Sequence, residues 1–290
     1  MSDTLRIGII GGSGLYEMEG LTDIRMERVT TPYGAPSDDF LIGRLEGSDA
    51  ELVFLPRHGR GHPLTPSEVP YRANIFAMKK LGVSWIISVS AVGSLREEIV
   101  PGHMVVIDQF IDRTKGRAST FFEKGIVAHI AFGDPVCGTL RKYLLAAAAQ
   151  AGATVHDGGT YVCMEGPAFS TRAESNLYRS WGGSVIGMTN LPESKLAREA
   201  EISYATLALS TDYDCWHEGH DDVTVEQVVA TMQKNVITAK EIIRHAVPLI
   251  AAHDGPAPHS NALAGAILSA KEAVPAERIE ALAPIIGKYF

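Results

Sequence analysis

Two carboxylates separated by one residue form the pair in this sequence that most strongly suggests chemistry. Asp212 and Asp214 follow an apolar run that predicts a strand over residues 202–212. At this spacing the side chains point the same way if the chain stays extended, and they splay apart if it turns. Such a pair can hold a proton or accept hydrogen bonds from the N–H groups of a heterocycle. On spacing alone, simple capping of the following turn is an equally good interpretation.

A short cluster of arginine and histidine side chains could bind an anion. Residues 57–62 (RHGRGH) follow a predicted strand over residues 51–55. The planar guanidinium of Arg57 matches a phosphate, and His58 can donate to one when it is protonated or in the appropriate tautomer. For Arg60 and His62 a solvated basic loop is the favoured interpretation. A metal site on His58 and His62 lacks an evident third ligand.

A glycine-rich turn at residues 11–14 (GGSG) follows the predicted strand over residues 5–10. Glycines let the backbone approach an anion closely, with N–H groups and the Ser13 hydroxyl pointing inward. A dinucleotide site is a rival interpretation, but the Gly-x-Gly-x-x-Gly spacing and the acid about 20 residues further on are absent. A plain tight turn stays open.

Residues 217–222 (HEGHDD) could form a metal cluster. They also precede a predicted helix over residues 225–250, where Asp221 and Asp222 would complement the helix dipole. We favour the second interpretation and predict no metal site.

The elements that must position these groups alternate between strands and helices. This pattern predicts an α/β fold, a single domain whose mixed, largely parallel central sheet is flanked by helices. In such sheets ligands bind at the carboxyl ends of the strands. The clusters that follow apolar runs are residues 11–14, Arg57-His58, Ser90-Ala91, Met188-Thr189 and residues 212–214.

A change of composition divides the chain. We predict one domain over residues 1–251, followed over residues 252–290 by a linker and a C-terminal helical tail. Residues 252–261 are rich in Gly, Pro and His, and Pro275 and Pro284 interrupt the helical pattern beyond them.

Charge and apolar content limit the partners. The 290 residues carry 34 acidic and 26 basic side chains, a formal charge of −8. This balance argues against a nucleic-acid binder and leaves room for a small anionic substrate. Apolar runs of about ten residues are too short to cross a bilayer core of about 30 Å. With three cysteines, no Cys-x-x-Cys motif and no signal peptide, we expect a soluble, cytoplasmic protein.

Taken together, motifs within residues 5–250 closely resemble those of the methylthioadenosine phosphorylases, within the purine nucleoside phosphorylase family. The motifs that carry the resemblance are residues 9–15 (IIGGSGL), 31–37 (TPYGAPS), 57–60 (RHGR), 93–98 (GSLREE), 108–114 (DQFIDRT), 165–167 (EGP), 169–175 (FSTRAES) and 211–216 (TDYDCW). The tail beyond residue 252 lies outside the resemblance.

The resemblance implies phosphorolysis in purine and methionine salvage. Inorganic phosphate, as co-substrate, would attack the anomeric carbon of methylthioadenosine and release adenine and 5-methylthioribose 1-phosphate. No metal or organic cofactor is implied, and the expected assembly is a homotrimer. Because the transition state would resemble an oxocarbenium ion, catalysis would rest on positioning and electrostatics.

The resemblance also implies roles for individual residues. The residues that match the phosphate ligands of the family are Ser13, Arg57, His58, Ser90, Ala91 (through its backbone) and Thr189. The family more often has Thr at positions 13 and 90, and either hydroxyl can donate. Met188 matches the residue under the ribose, Phe169 would stack on the base, and His129 would reach into a neighbouring subunit's site.

Asp212 and Asp214 match the pair that reads adenine. A protonated Asp212 would donate to N7 of the leaving base and accept from its exocyclic amine. This requires a raised pKa, which burial beside a second carboxylate provides.

Specificity positions favour adenine and a methylthio group. Relatives that cleave 6-oxopurine nucleosides carry Glu at position 170 and Asn at position 212, where this chain has Ser170 and Asp212. Those relatives place a His near the 5′ hydroxyl, where this chain has Val225, and Val228 extends the same apolar wall. The alternatives are a 6-oxopurine nucleoside or methylthioinosine phosphorylase, a non-catalytic nucleoside-binding protein and, disfavoured by the glycine spacing, a nicotinamide-dependent dehydrogenase.

Overall fold

A mixed sheet of eleven strands forms the centre of the fold in a computed structural model. The structure describes residues 4–217 and 225–290, except for the side chains of residue 13 and of residues 225–228. The strands are β1 (Arg6–Gly11), β2 (Leu21–Glu27), β3 (Phe40–Leu45), β4 (Glu51–Pro56), β5 (Val83–Ser94), β6 (Met104–Val106), β7 (Gln109–Arg113), β8 (Val155–Asp157), β9 (Thr160–Met164), β10 (Gly183–Gly187) and β11 (Ser203–Asp212). The helices are α1 (Tyr71–Lys80), α2 (Gly138–Gln150), α3 (Arg172–Ser180), α4 (Asn190–Glu199), α5 (Val225–Ala251), α6 (Ala276–Ala281) and α7 (Ala283–Ile286).

The central strands are buried because helices cover both faces of the sheet. All six residues of β4 are buried, as expected for strands whose sequences are apolar without alternation. Strands β1, β4, β5 and β11 run parallel to one another. Helices α1 and α4 pack on one face, and α2 and α5 pack on the other. The predicted α/β fold, with a mixed sheet flanked by helices, is confirmed.

Strand β5 changes its partner halfway along. Its first half pairs with β1 as far as Ser88, and its last residues, Gly93 and Ser94, pair antiparallel with β10. Strand β11 lines the other edge of β5 throughout. Between Ser88 and Gly93 neither β1 nor β10 pairs with β5, and this interruption leaves a gap in the sheet. The carboxyl ends of β1 and β10 point into the gap from opposite sides.

Two stretches of the sheet differ from what their residue patterns predict. The small residues 90–94 predict a cap after a strand, but they continue β5 to Ser94, because β10 and β11 supply hydrogen-bond partners that the sequence does not show. The apolar pattern of residues 104–111 predicts one strand, but the structure has β6 and β7, which pair with different neighbours.

The C-terminal tail packs into the same apolar core as α1 and α4. Leu282, Ile285 and Ile286 are buried in that core cluster. The tail is fastened at the buried carboxylate of Glu201, which lies 2.7 Å from the Lys288 ammonium and accepts the Leu263 N–H at 3.0 Å. The division of the chain at residue 252 stays a prediction.

Candidate active site

The gap beside β5 brings four of the predicted clusters together. Gly11 and Gly187 end β1 and β10 on its two sides, and Ser90 and Ala91 lie on the stretch of β5 that neither strand covers. Ala91 is exposed although it lies in the middle of a central strand. Backbone N–H groups and short side chains therefore line an opening, which is the kind of site that holds an anion.

Arg57 lies directly behind this gap, with its guanidinium turned into the protein. The residue is 3% exposed. It donates from Nε and Nη2 to the Glu193 carboxylate at 2.7 and 2.9 Å, and from Nη1 to the Val89 carbonyl at 3.0 Å. All three nitrogens thus have protein acceptors and tie β4 to β5 and α4. Direct contact of Arg57 with phosphate stays a prediction.

Glu193, in the first turn of α4, is a residue that the sequence did not single out. It is 1% exposed, and besides Arg57 it accepts from the Ser88 hydroxyl at 2.7 Å and the Tyr204 hydroxyl at 2.9 Å. Asn190 also donates to Ser88, at 3.1 Å. This buried network fixes the first turn of α4 against β5 and β11, beneath the gap.

His58 carries its proton on Nδ1, which bonds to a backbone carbonyl. Its Nδ1 lies 2.8 Å from the Leu64 carbonyl, which can only accept, so Nδ1 is the donor. Burial lowers the pKa of His58 to about 4, and the ring is neutral at pH 7. In this form Nε2 accepts a hydrogen bond. His58 can therefore accept from the hydroxyl of monohydrogen phosphate, whereas donation from Nε2 would require protonation.

Ser90 and Thr189 carry hydroxyls on the two sides of the gap, and Ser90 is bonded to a buried tyrosine. Ser90 is 5% exposed, and its hydroxyl lies 3.1 Å from the hydroxyl of Tyr161. Thr189 occupies the N-cap position of α4, yet its side chain makes no capping hydrogen bond. The hydroxyl is therefore not committed to the helix terminus and can donate to a ligand. The backbone of Ser13 opens a short 3₁₀ turn after β1, and its side chain lies outside the described residues.

Met188 is held in place by Arg117, which lies in the segment between β7 and α2. Arg117 donates from Nη1 to the carbonyls of Met188 and Leu191, at 2.6 and 2.9 Å, and from Nη2 to the Glu165 carbonyl at 2.7 Å. The Met188 sulfur packs against Gly166, where a side chain would overlap it. No sequence pattern pointed to Arg117, because its partners are distant in the chain.

The two aspartates come together through a turn. Asp214 takes a positive φ of 33°, and its backbone N–H donates to Oδ1 of Asp212 at 2.9 Å. The Thr211 hydroxyl donates to Oδ2 at 2.7 Å. A side chain on Gly93 would lie 3.0 Å from Oδ1, so glycine there allows the carboxyl group to lie against β5. The turning and the proton-holding interpretations are thus compatible.

Burial raises the pKa of both carboxyl groups. The pKa of Asp212 rises from 3.8 to about 6, chiefly through burial and with a smaller contribution from the charge of Asp214. Burial also raises the pKa of Asp214, although the hydroxyls of Ser175 and Ser170 partly offset it. No cation neutralises Asp212 in its described surroundings. A carboxyl group in this state can deliver a proton near neutral pH.

Of the remaining predicted residues, some lie beside the aspartate pair and others do not. Ser170 lies beside Asp214, and the Phe169 side chain is 55% exposed and free to stack on a planar ligand. His129 is exposed and is held against the C-terminal tail, where its N–H donates to the Ala266 carbonyl. The side chains of Val225 and Val228, at the start of α5, lie outside the described residues.

The described residues contain neither a metal-binding cluster nor a membrane-spanning helix. Within residues 4–217 and 225–290, no three His, Cys, Asp or Glu side chains are grouped so that they could hold a metal ion. Of the sequence HEGHDD, residues 218–222 lie outside that part of the chain. No described helix has the length and apolar character needed to cross a membrane.

Comparisons with known proteins give consistent results. A family model described as the phosphorylase superfamily matches residues 6–248. The S-methyl-5′-thioadenosine phosphorylase of Geobacter sulfurreducens is 66% identical over 284 residues, covering 98% of this chain and 98% of that protein. An alignment of this length includes most of the C-terminal tail, which the motif resemblance left out.

Solved structures of related enzymes have the same fold as this chain. The crystal structure of a methylthioadenosine phosphorylase from an Antarctic soil metagenomic library has a TM-score of 0.92 and 50% identity, with 97% of this chain and 99% of that chain covered. A mutant adenosine/methylthioadenosine phosphorylase from Schistosoma mansoni, in complex with methylthioadenosine, has a TM-score of 0.81 and 39% identity, with 87% and 93% covered.

Proposed function

We infer that this chain, which belongs to the phosphorylase superfamily, cleaves S-methyl-5′-thioadenosine with inorganic phosphate, giving adenine and 5-methylthio-α-D-ribose 1-phosphate. The observation that carries the inference is the partly buried Asp212, whose pKa is raised to about 6, at the end of a strand that pairs with the stretch of β5 bordering the gap. The similarity to enzymes named for this substrate gives independent support.

The phosphate side of the reaction uses neutral donors. We propose that phosphate binds at Ser13, Ser90, Thr189 and the backbone of Ala91, and that His58 accepts from its hydroxyl. Arg57, paired with Glu193, contributes its positive charge from behind the gap. Donors that are fixed before the substrate arrives need little reorganisation as charge shifts in the transition state.

The purine side uses the raised pKa of Asp212. As a phosphate oxygen attacks C1′ of the ribose, the bond from C1′ to N9 breaks and its electron pair moves into the purine. Protonated Asp212 donates its proton to N7. Before this step, the burial of Asp212 and the negative charge of Asp214 favour the protonated form of Asp212. Met188 supports the ribose, and Phe169 stacks on the base.

Adenine is the expected base because of two positions. Ser170 leaves no carboxylate to accept a ring N–H, which 6-oxopurines have and adenine lacks. Asp212, when protonated, both donates to N7 and accepts from the exocyclic amine. A 6-oxopurine nucleoside phosphorylase is the second candidate, and no contact among the described residues favours it. Val225 and Val228 are proposed to favour the methylthio group.

The setting of the reaction is also proposed. We expect a homotrimer in the cytoplasm, in which His129 of each subunit contributes to a neighbouring site, and we expect the reaction to need no metal or organic cofactor. The exposure of His129 on the surface of one chain supports a contact between subunits. We propose that the tail over residues 252–290 is a helical addition to a domain that ends at residue 251.

The decisive test is phosphate dependence. Purified protein is incubated with methylthioadenosine in phosphate-free buffer, with or without added phosphate, and adenine and the sugar product are measured. We expect adenine only with phosphate, in equal amount to the sugar phosphate. Adenine release without phosphate would identify a hydrolase instead, and faster cleavage of inosine would overturn the assignment of Ser170 and Asp212.

A further inference from the structure

Tyr161 lies beneath the proposed phosphate site, although no sequence motif pointed to it. It is on β9, is 0% exposed, and its hydroxyl lies 3.1 Å from the Ser90 hydroxyl. A side chain on Gly187, at the end of β10, would overlap this hydroxyl. The phenol thus reaches under β10 to the strand stretch that borders the gap.

The phenol can donate to Ser90. Burial raises the pKa of Tyr161, so the hydroxyl keeps its proton. Its hydrogen-bond partner is the Ser90 hydroxyl, and either oxygen can be the donor. Because Ser90 also donates to the Ala91 carbonyl at 3.4 Å, its oxygen can accept from the phenol.

From these contacts we infer that Tyr161 is a positioning residue for phosphate: it donates to Ser90, holds that hydroxyl in place and leaves the Ser90 proton for the anion. The inference rests on the proposed function. Without the phenol, the Ser90 hydroxyl loses the hydrogen bond that fixes its orientation and keeps the long one to the Ala91 carbonyl, at 3.4 Å. Its proton is then less available to the anion. Tyr161 thereby sets the direction of the hydrogen bond from Ser90 to phosphate.

The test is a double-mutant cycle on Tyr161→Phe and Ser90→Ala, with steady-state kinetics for each substrate. Tyr161→Phe should raise KM for phosphate about fivefold, the effect of one well-oriented hydrogen bond, while KM for methylthioadenosine changes less than about twofold. In the Ser90→Ala background, Tyr161→Phe should have no further effect. An unchanged phosphate KM, or an undiminished effect without Ser90, would overturn the inference.

A matched control and a second readout separate positioning from general destabilisation. Tyr143→Phe removes another hydrogen-bonded phenol, 3.0 Å from His253. This phenol is partly buried against the core cluster on the α2 and α5 side of the sheet, and its removal should leave phosphate KM unchanged. The rise in Tm that phosphate produces should shrink in Tyr161→Phe and not in Tyr143→Phe. Equal shrinkage in both would contradict a positioning role. Because the wild-type enzyme must first cleave methylthioadenosine with phosphate, failure of the proposed function would be seen separately.

Discussion

Glu193 and Asp212 both place a carboxylate against β5, but their surroundings differ. Glu193 accepts from Arg57, Ser88 and Tyr204, so a guanidinium and two hydroxyls balance its charge. Among the described contacts, Asp212 accepts from the Thr211 hydroxyl and a backbone N–H, and the charge that acts on it is that of Asp214. The first carboxylate therefore fixes the structure, whereas the second is prepared to carry a proton.

The different surroundings of Glu193 and Asp212 match the different needs of the two proposed substrates. Phosphate is already negative and needs donors. Because the Arg57 guanidinium is bonded to Glu193 behind the proposed phosphate site, we expect hydroxyls and N–H groups to make most of the contacts with phosphate. The departing purine becomes negative, so it needs an acid. A carboxyl group supplies this acid near neutral pH only where no cation lowers its pKa.

Asp212→Ala should give the largest effect on activity. Without the acid, the electron pair of the broken bond has no proton to receive, and kcat/KM for methylthioadenosine should fall by about 10²–10⁴-fold. Steady-state kinetics measures this loss, and circular dichroism checks that the fold is retained. A loss smaller than about tenfold would show that the two carboxylates do not differ in the way described.

Glu193→Ala should give the largest effect on stability. It leaves the Arg57 guanidinium, which is 3% exposed, without its partner, and the free energy of unfolding should fall by about 3–5 kcal/mol. Urea denaturation measures the change. Glu51→Ala is the matched control, because Arg6 and Arg25 opposite it are 30% and 41% exposed, and it should cost about 1 kcal/mol. Equal costs would contradict the structural role of Glu193.

The paired exchange Ser170→Glu with Asp212→Asn should alter base selection by a smaller factor. The carboxylate that this exchange introduces at position 170 provides an acceptor for the ring N–H of hypoxanthine. The ratio of kcat/KM for inosine to that for methylthioadenosine should rise at least about tenfold. Ser180→Glu, at the far end of α3, is the control and should leave the ratio unchanged. No rise in the double variant would remove the basis for adenine specificity.

Phe169→Ala should have the smallest effect. The side chain is 55% exposed, so its removal costs little stability, but loss of stacking on the base should raise KM for methylthioadenosine about fivefold. Phosphate KM should stay unchanged. Leu177→Ala, which removes an exposed apolar side chain from α3, is the control. If both variants behave alike, Phe169 makes no specific contact.

The sequence could predict the parts of the site that depend on neighbouring residues. The carboxyl pair was recognisable because Asp212 and Asp214 are close in the chain and follow an apolar strand. Strand ends lined by small residues were recognisable for the same reason. The general alternation of strands and helices predicted the fold class.

Contacts between distant segments could not be predicted. Arg57 and Glu193 are 136 residues apart, and the sequence alone made Arg57 look like a free phosphate ligand. The small residues in the second half of β5 predict a cap after a strand, and only the positions of β10 and β11 explain why the strand continues. The tautomer of His58 depends on the Leu64 carbonyl, which the motif did not indicate.

The pH dependence of kcat/KM for methylthioadenosine, at saturating phosphate, tests most directly whether Asp212 supplies the proton. Because the pKa of Asp212 is raised from 3.8 to about 6, the acid is protonated below that pH, and the protonated fraction falls about tenfold per unit above it. We predict a falling limb with a midpoint near pH 6 that is absent from Asp212→Asn. A flat wild-type profile between about pH 5 and 8, or the same limb in Asp212→Asn, would contradict the account.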